Sequence, residues 1–210
     1  LKPLLERFLY MAWDAGLKIG HRVHEVSEIA EAVKADITIK TAILESRFIY
    51  GSKFLWIEYQ NKLTQIRKTD QKEFVIAKLE EMQKRHRKYK FSMEPNIKEG
   101  IGGLRDGNTL FWLATAIYGI NSNKELVGRL FTESEYKEYR LGAEFLFKLR
   151  NALHSGLGKK EDTLKLQNQR DMALKLGFKD TKTQKAESYL VSKNPQMYES
   201  YKYILLHKLR

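Results

Sequence analysis

Apolar residues along the chain recur three and four positions apart, which is the spacing of one face of an α-helix. This period runs through most of the sequence, so the pattern predicts a mainly α fold. The first predicted helix starts near residue 4 and ends near Gly16. The others cover residues 28–35, 37–50, 53–67, 70–90, a stretch of about four turns after Gly103, 132–154, 164–176 and 184–208.

Residues 17–26 depart from this pattern, because their apolar positions partly alternate as they do in a β-strand. They are the only strand candidate in the sequence, and a single strand cannot form a sheet. The pattern therefore leaves two architectures open. One is an all-helical protein with a single extended segment, and the other is a helical domain that carries the tail of an α/β domain.

Capping residues mark the start of three predicted helices. Asp36 is a predicted N-cap, because an aspartate can accept a hydrogen bond from an unpaired N–H of the first turn. Asp70 with Glu73, and Thr132 with Glu135, have the spacing of a capping box, in which two residues satisfy each other's backbone donors. We therefore expect helices to begin directly after residues 36, 70 and 132.

Glycine, proline and charged residues crowd together in residues 94–106, EPNIKEGIGGLRD. Pro95 disfavours the helical conformation at the residue before it, and the three glycines allow the backbone to turn sharply before the next helix. The start of that helix offers unpaired N–H groups between Lys98 and Arg105, a combination that suits a phosphate or carboxylate ligand. The alternative is a tight turn before a core helix, with Arg105 and Asp106 as surface charges.

Basic residues outnumber acidic ones by 38 to 26, which gives a net charge of +12. This excess favours polyanionic partners, nucleic acid included. The lysines are spread along the chain, however, and neither a helix-turn-helix pattern nor an aromatic stacking platform accompanies them. The densest basic cluster, residues 84–90, continues an apolar helix face, so we expect most of its charges on a solvated face. A docking surface for an acidic partner or for nucleotide phosphates is the alternative.

The absence of cysteine excludes disulfides and thiolate metal sites and agrees with a reducing, cytoplasmic location. No apolar run approaches the roughly 20 residues of a membrane-spanning helix, and residues 1–20 lack the pattern of a signal peptide. Because the first residue is Leu and not Met, we expect that the chain begins inside a longer protein.

Four blocks of the sequence, in order, resemble the bacterial PII uridylyltransferase/uridylyl-removing enzyme family. The most specific block is residues 94–106 with the aromatic-rich helix that follows; the related glutamine synthetase adenylyltransferases carry a shorter version of it. The other blocks are residues 13–21 (WDAGLKIGH), residues 36–47 (DITIKTAILESR), and Arg150, Ala152, Leu153 and His154 with Gln169, Leu176 and Gly177. The match extends from near residue 1 to about residue 178, and the chain is identified as a central fragment of such an enzyme.

The resemblance implies a domain order. A nucleotidyltransferase domain of the polymerase-β type comes first in the family, so residues 1–60, with the strand candidate, would be the C-terminal part of that domain. Residues 61–210 would be the helical domain that packs against it. A phosphohydrolase domain of the HD type and paired ACT domains would lie beyond Arg210.

The resemblance also implies an activity and its partners. The family transfers UMP from UTP to a tyrosine of the PII signalling protein, removes it through the HD domain, and senses glutamine through the ACT domains. UTP and Mg²⁺ would be bound by residues upstream of Leu1, and neither a membrane nor nucleic acid is implied. The alternatives are a non-catalytic basic helical module that binds nucleic acid, and a glutamine synthetase adenylyltransferase relative.

The metal site of such a transferase is missing from this sequence. Transfer needs two carboxylates spaced Asp-x-Asp or Asp-x-Glu to hold Mg²⁺. None of the aspartates is followed two positions later by Asp or Glu, and there is no His-Asp dipeptide for the removing activity. The chain alone is therefore predicted to be inactive and to contain no metal ligand and no catalytic residue.

Several residues would nevertheless support the complete site. By the resemblance, the nucleotide or phosphate contacts are Lys98, Gly100, Gly102, Gly103, Arg105 and Arg47. The residues that would orient the glycine loop through hydrogen bonds are Glu94, Asn96 and Asp106. Asp36 is a supporting carboxylate candidate, although its role as a helix cap needs no further function. Arg150 and His154, four apart on one helix face, are expected to form a buried structural network.

Overall fold

The computed structural model of the protein describes residues 2–90 and 92–178, and this part of the chain is mainly helical, as predicted. Its elements are α1 (Lys2–Asp14), α2 (Ile29–Ala35), α3 (Ile37–Leu44), α4 (Lys53–Lys68), α5 (Gln71–Lys88), α6 (Leu104–Tyr118), the 3₁₀ helix η1 (Asn123–Leu126), α7 (Glu133–Leu157) and α8 (Leu166–Lys175). The helix predicted over 184–208 lies outside the described residues.

The strand predicted over residues 17–26 is wrong. The described residues contain no β-strand, and their only β-type pairings are two isolated bridges, Asn96 with Thr163 and Val127 with Phe131. A strand exists only where a neighbour takes up its backbone hydrogen bonds, and no described segment lies alongside residues 17–26 in this way. Partial alternation of apolar residues therefore did not suffice to produce a strand.

Two helix ends differ from the prediction by three residues or more. Helix α3 stops at Leu44 instead of residue 50, because both the backbone nitrogen (3.1 Å) and the hydroxyl (2.6 Å) of Ser46 donate to the carbonyl of Ile43 and close a tight turn. Helix α7 continues past His154 to Leu157. It ends at Gly158, whose φ of 62° is the left-handed conformation of a helix C-terminus.

The predicted caps at residues 36 and 132 are confirmed, and the one at residue 70 is not a capping box. The Asp36 carboxylate accepts a 2.8 Å hydrogen bond from the backbone nitrogen of Thr38, and Thr132 forms the full box with Glu135. Asp70 precedes α5 but makes no capping hydrogen bond. Its backbone is left-handed (φ 49°, ψ 38°), whereas a capping side chain needs an extended backbone to reach the first turn.

Helix α6 lies between two hydrophobic clusters and contributes to both. The first cluster joins it to η1, α7 and α8, and includes Leu110, Ala114, Leu130, Leu149, Leu153 and Leu164. The second joins it to α2, α3, α4 and α5, and includes Ile29, Ile39, Leu63, Phe74, Trp112 and Ala116. The second cluster contains residues from both sides of position 60, and the domain boundary expected there stays a prediction.

Across residues 2–90 and 92–178, none of the helices combines the length and the hydrophobicity that crossing a bilayer requires.

Candidate functional site

We call residues 96–106, which lead into α6, the glycine bend. It begins with an Asx turn, in which the Asn96 side-chain oxygen accepts hydrogen bonds from the backbone nitrogens of Lys98 (3.1 Å) and Glu99 (2.7 Å). The sequence predicts that Glu94 orients the bend through a hydrogen bond. In the structure its carboxylate instead accepts a hydrogen bond from the backbone nitrogen of Leu166 at 2.9 Å. Glu94 therefore anchors the start of α8, while Asn96 shapes the bend.

The three glycines of the bend are buried. At Gly102 and Gly103 the backbone or its surroundings leave no room for a side chain. Gly102 has a φ of 73°, which side chains rarely tolerate. Gly103 has an ordinary φ, but a Cβ on it would lie 2.8 Å from the carbonyl oxygens of Ile97 and Lys98. A side chain at either position would therefore displace the backbone.

The N–H groups of the three glycines and of the first turn of α6 already have acceptors within the protein. Gly100 donates to the carbonyl of Asn96, Gly103 to that of Gly100, and Arg105 to that of Lys98, all at 2.9 Å. The unpaired donors that the sequence suggested at this helix start are therefore engaged. An anion at the bend would have to interact with side chains.

A buried carboxylate fixes the bend to α5. Asp106 is only 2% exposed, and its Oδ2 accepts a 2.9 Å hydrogen bond from the backbone nitrogen of Gly102. Its Oδ1 accepts from the guanidinium of Arg85, and His86 Nε2 lies 2.9 Å from both carboxylate oxygens. One side chain thus joins two cationic positions of α5 to the loop before α6. Asp106 is not the surface charge of the alternative interpretation.

The prediction that most charges of residues 84–90 lie on a solvated face is confirmed, with two exceptions. Arg85 and His86 face inward, with side chains 8% and 17% exposed, while Lys84 and Arg87 are exposed as expected. The signal was available, because Arg85 and His86 follow Met82 by three and four positions and so continue the apolar face of α5. The density of charge concealed this continuation.

Two of the three cations predicted to bind nucleotide, Lys98 and Arg105, share one carboxylate. The Lys98 ammonium lies 2.9 Å, and the Arg105 guanidinium 3.7 Å, from Oε1 of Glu99. Burial raises the pKa of Glu99, but the hydrogen bond from Lys98 and the neighbouring positive charges outweigh it, so the pKa lies below its ordinary value. Arg105 also lies over the ring of Trp112, 5.8 Å from its centroid. Both cations are therefore held in place and partly neutralised.

The remaining predicted residues, Asp36 and Arg47, lie apart from the bend. Asp36 caps α3 and pairs with Arg22 at 2.9 Å, and its pKa is lowered by the hydrogen bonds from Thr38 first and by Arg22 after them. Arg47 is exposed in the loop after α3. It lines a cavity whose lining includes neither Lys98 nor Arg105.

This cavity, of about 680 Å³, opens between α4, the loop after α3 and one face of α6, and we call it the arginine groove. The charged, aromatic and amide side chains that line it include Glu45, Arg47, Trp56, Arg67, Phe111 and Asn121. A second cavity of about 440 Å³ shares Glu45, Phe111 and Asn121 with it and continues along α6. Arg67 and Trp56 were not predicted as site residues, and nothing in their local sequence distinguishes them from ordinary positions of an amphipathic helix.

Arg150 and His154 form the structural network predicted for them, around a third residue. Arg150 Nε lies 2.7 Å and His154 Nε2 3.1 Å from Oδ1 of Asp162, whose backbone carbonyl accepts from the nitrogen of Ile97 at 2.7 Å. Burial raises the pKa of Asp162, but the hydrogen bonds from Arg150 and His154 lower it by more than burial raises it. The pKa therefore lies below its ordinary value. The network is half-buried, and it ties the start of the bend to α7.

Within residues 2–90 and 92–178 there is no group of three or more His, Asp or Glu side chains placed to hold a metal ion. The residues of this part of the chain therefore do not fit Mg²⁺, and no step through a metal is assigned to them.

The chain is similar to one family of known proteins. The family model described as GlnD PII-uridylyltransferase matches residues 73–198. Proteins named bifunctional uridylyltransferase/uridylyl-removing enzyme are 39% identical in Nitrobacter hamburgensis and 40% identical in Bradyrhizobium diazoefficiens, in each case over 84% of this chain. The namesake protein of Ruegeria pomeroyi is 39% identical over 85% of the chain. The chain spans about a fifth of the length of these relatives (20%), and no solved structure matches it.

Proposed function

Because this chain belongs to the GlnD PII-uridylyltransferase family, we propose that it is the central section of an enzyme that transfers UMP from UTP to a tyrosine of the PII protein and removes it again. The observation that carries this proposal is the identity of 39–40% over 84% of the chain to proteins with that name. The nucleic-acid module and the adenylyltransferase relative are not favoured, since the matched relatives carry neither name.

In the proposed reaction the tyrosine oxygen forms a bond to the α-phosphorus of UTP. The bond from that phosphorus to the β-phosphate oxygen breaks, pyrophosphate leaves, and the hydroxyl proton is released. Mg²⁺ would neutralise the phosphate charge, and its ligands would be carboxylates outside the described residues. The section described here would shape and support the nucleotide site, and by itself it would be inactive.

Several large apolar side chains on the first sixty residues are exposed, and their exposure supports the proposed domain order. Phe8 on α1 is 60% exposed, Tyr50 before α4 is 96% exposed, and Phe54 on α4 is 87% exposed. Clusters of exposed large apolar residues on a water-soluble domain generally mark an interaction surface. We propose that residues 1–60 pack through this surface against the nucleotidyltransferase domain and that the helical domain begins near residue 61.

At the bend, we assign the predicted roles to side chains. Lys98 and Arg105 would stabilise the negative charge that develops as pyrophosphate leaves, and Glu99 would hold them in position beforehand. Gly100, Gly102 and Gly103 would contribute through shape, because their N–H groups are engaged within the protein. Asp36 would support the site through the start of α3.

The remaining features of the proposal come from the family. The HD domain would perform uridylyl removal, the ACT domains would sense glutamine, and the enzyme would act in the cytoplasm on the PII protein. The net charge of +12 would favour the approach of UTP, which is strongly anionic.

The test is a transfer assay on the full-length product of the gene that encodes this chain. Labelled UTP, Mg²⁺ and PII are supplied, and incorporation of UMP into PII is measured for the wild type, Lys98→Ala and Arg105→Ala. We expect each variant to lose roughly tenfold or more in kcat, as for removal of a charge-stabilising donor. Lys137→Ala, an exposed lysine of α7, is the control. A wild-type protein that never labels PII would refute the proposed function.

A further inference from the structure

Two arginines line the arginine groove, and their ion pairing differs from that of the cations at the bend. Within the described residues, Arg47 and Arg67 form no ion pair and no side-chain hydrogen bond, and Arg67 Nε is buried without an acceptor. The buried Nε is out of reach of a ligand, but its lack of an acceptor shows that the packing around Arg67 supplies none, and a ligand in the groove would meet the other guanidinium nitrogens. An anion in the groove would therefore meet guanidinium charge that no carboxylate of the described residues neutralises.

The bend provides the contrast. There, Lys98 and Arg105 both lie within 4 Å of the Glu99 carboxylate. A phosphate that approached them would compete with an existing partner, whereas Arg47 and Arg67 have no such partner among the described residues. Guanidinium groups bind phosphate oxygens in pairs, which adds geometric specificity to the charge attraction.

The other residues that line the groove suit the base of a nucleotide. Trp56 and Phe111 supply aromatic surface, and Gln60 and Asn121 supply amide donors and acceptors. Aromatic rings stack on nucleobases, and amides can bond the edges of bases. The volume of about 680 Å³ lies in the ordinary range of small-ligand sites.

We propose that the arginine groove binds the triphosphate of a nucleoside triphosphate, with Arg47 and Arg67 as the phosphate contacts. The inference rests on the proposed function for the identity of the nucleotide, UTP. Because the lining of the groove includes neither Lys98 nor Arg105, the groove would be a nucleotide site distinct from the transfer site that those two cations support. The single carboxylate in the lining, Glu45, opposes the ligand and sets an upper limit on affinity.

The test measures UTP binding to this 210-residue chain by isothermal titration calorimetry, with tripolyphosphate as a second probe. Arg47→Ala removes an exposed side chain, and Arg67→Gln keeps most of the aliphatic stem of a partly buried one. Arg7→Ala, an exposed arginine of α1 outside the groove, is the matched control. Helix content by circular dichroism establishes that each variant is folded.

The wild type should bind UTP more tightly than tripolyphosphate, because the base adds contacts with the aromatic wall. Arg47→Ala and Arg67→Gln should each weaken UTP binding about tenfold or more, the usual contribution of a charge-assisted hydrogen bond, and Arg7→Ala should bind as the wild type does. Folded Arg47→Ala and Arg67→Gln variants with unchanged affinity would refute the assignment. The absence of saturable UTP binding up to about 10 mM would also refute it.

Two further outcomes would refute the nucleotide assignment. Equal affinity for UTP and tripolyphosphate would make the groove a simple anion site. Tight binding of an oligouridylate that UTP cannot displace would make it a nucleic-acid surface. The transfer assay is independent of this binding test. UTP binding without PII labelling would refute only the proposed function. PII labelling together with unchanged UTP binding in both arginine variants would refute only the groove assignment.

Discussion

The Oδ2 atom of Asp106 accepts a 2.9 Å hydrogen bond from the backbone nitrogen of Gly102, four residues before it. The same carboxylate bonds Arg85 and lies against His86, so one buried side chain holds both the left-handed turn of the bend and the C-terminal part of α5. The conformation of the bend is therefore coupled to the packing of α5 against α6.

We predict that Asp106→Asn destabilises the protein by about 3 kcal/mol, because removing one partner of a buried ion pair leaves the other charge uncompensated. The measurement is the free energy of unfolding from urea titration, followed by circular dichroism. Asp171→Asn, which removes an exposed aspartate of α8, is the control and should change stability by less than about 0.5 kcal/mol. Equal stabilities of the two variants would show that the Arg85 pair contributes nothing.

Gly103→Ala should destabilise the protein by about 1–3 kcal/mol, as overpacking does elsewhere. The added Cβ would lie 2.8 Å from the carbonyl oxygens of Ile97 and Lys98 and 2.9 Å from that of Gly100, and backbone atoms cannot move away cheaply. Gly20→Ala is the matched control, since a Cβ there would have no neighbour within 4 Å. Thermal unfolding of both variants, compared with the wild type, decides between strain at the bend and a general intolerance of glycine replacement.

The helices were largely predictable, and the regions between them were not. Apolar periodicity located α4 to within a residue, because a long amphipathic face repeats its signal several times. The strand prediction at residues 17–26 failed because strand formation depends on a neighbouring strand, which the local pattern does not report. The left-handed backbone of Asp70 is likewise a tertiary outcome, and the Asp70–Glu73 spacing could not reveal it.

The candidate site shows the same division. The sequence located the bend and the Asn96 and Asp106 contacts, because glycine and Asx chemistry act over a few residues. It missed the pairing of Arg85 with Asp106, 21 residues apart, and the convergence of Arg47 and Arg67 on one groove. Contacts between side chains distant in sequence depend on how the helices pack, which periodicity does not determine.

The network around Asp162 predicts a dependence of stability on pH. The pKa of Asp162 is lower in the folded protein than the ordinary value of 3.8, because the hydrogen bonds from Arg150 and His154 outweigh burial. A carboxyl with a depressed folded-state pKa contributes stability above its unfolded pKa and loses it as the pH falls through the folded pKa. The contribution should therefore be complete at pH 6, begin to decline at about pH 4, and be lost as the pH falls through the lower folded-state pKa.

Asp162→Asn tests this dependence through the free energy of unfolding measured from pH 6 down to about pH 2.5. At pH 6 the variant should be less stable than the wild type by about 2 kcal/mol, the usual contribution of hydrogen bonds to a charged group. The difference should shrink as the pH falls. Glu138→Gln, an exposed change on the same helix, is the control. A difference that stays constant over this range would show that the charge of Asp162 is not what stabilises the network.

Glu45 gives a prediction of opposite sign, because its side chain lines both the arginine groove and the second cavity beside it. Glu45→Gln keeps the size of the side chain and removes a negative charge beside the proposed triphosphate. UTP binding should tighten, by up to about fivefold, since exposed charge interactions contribute about 0.2–1 kcal/mol. The gain should decrease at high salt, where such interactions are screened. Glu31→Gln, an equivalent change on the exposed face of α2, should leave UTP affinity unchanged. If Glu45→Gln weakened UTP binding instead, Glu45 would be a ligand contact, and the phosphates would have to lie elsewhere.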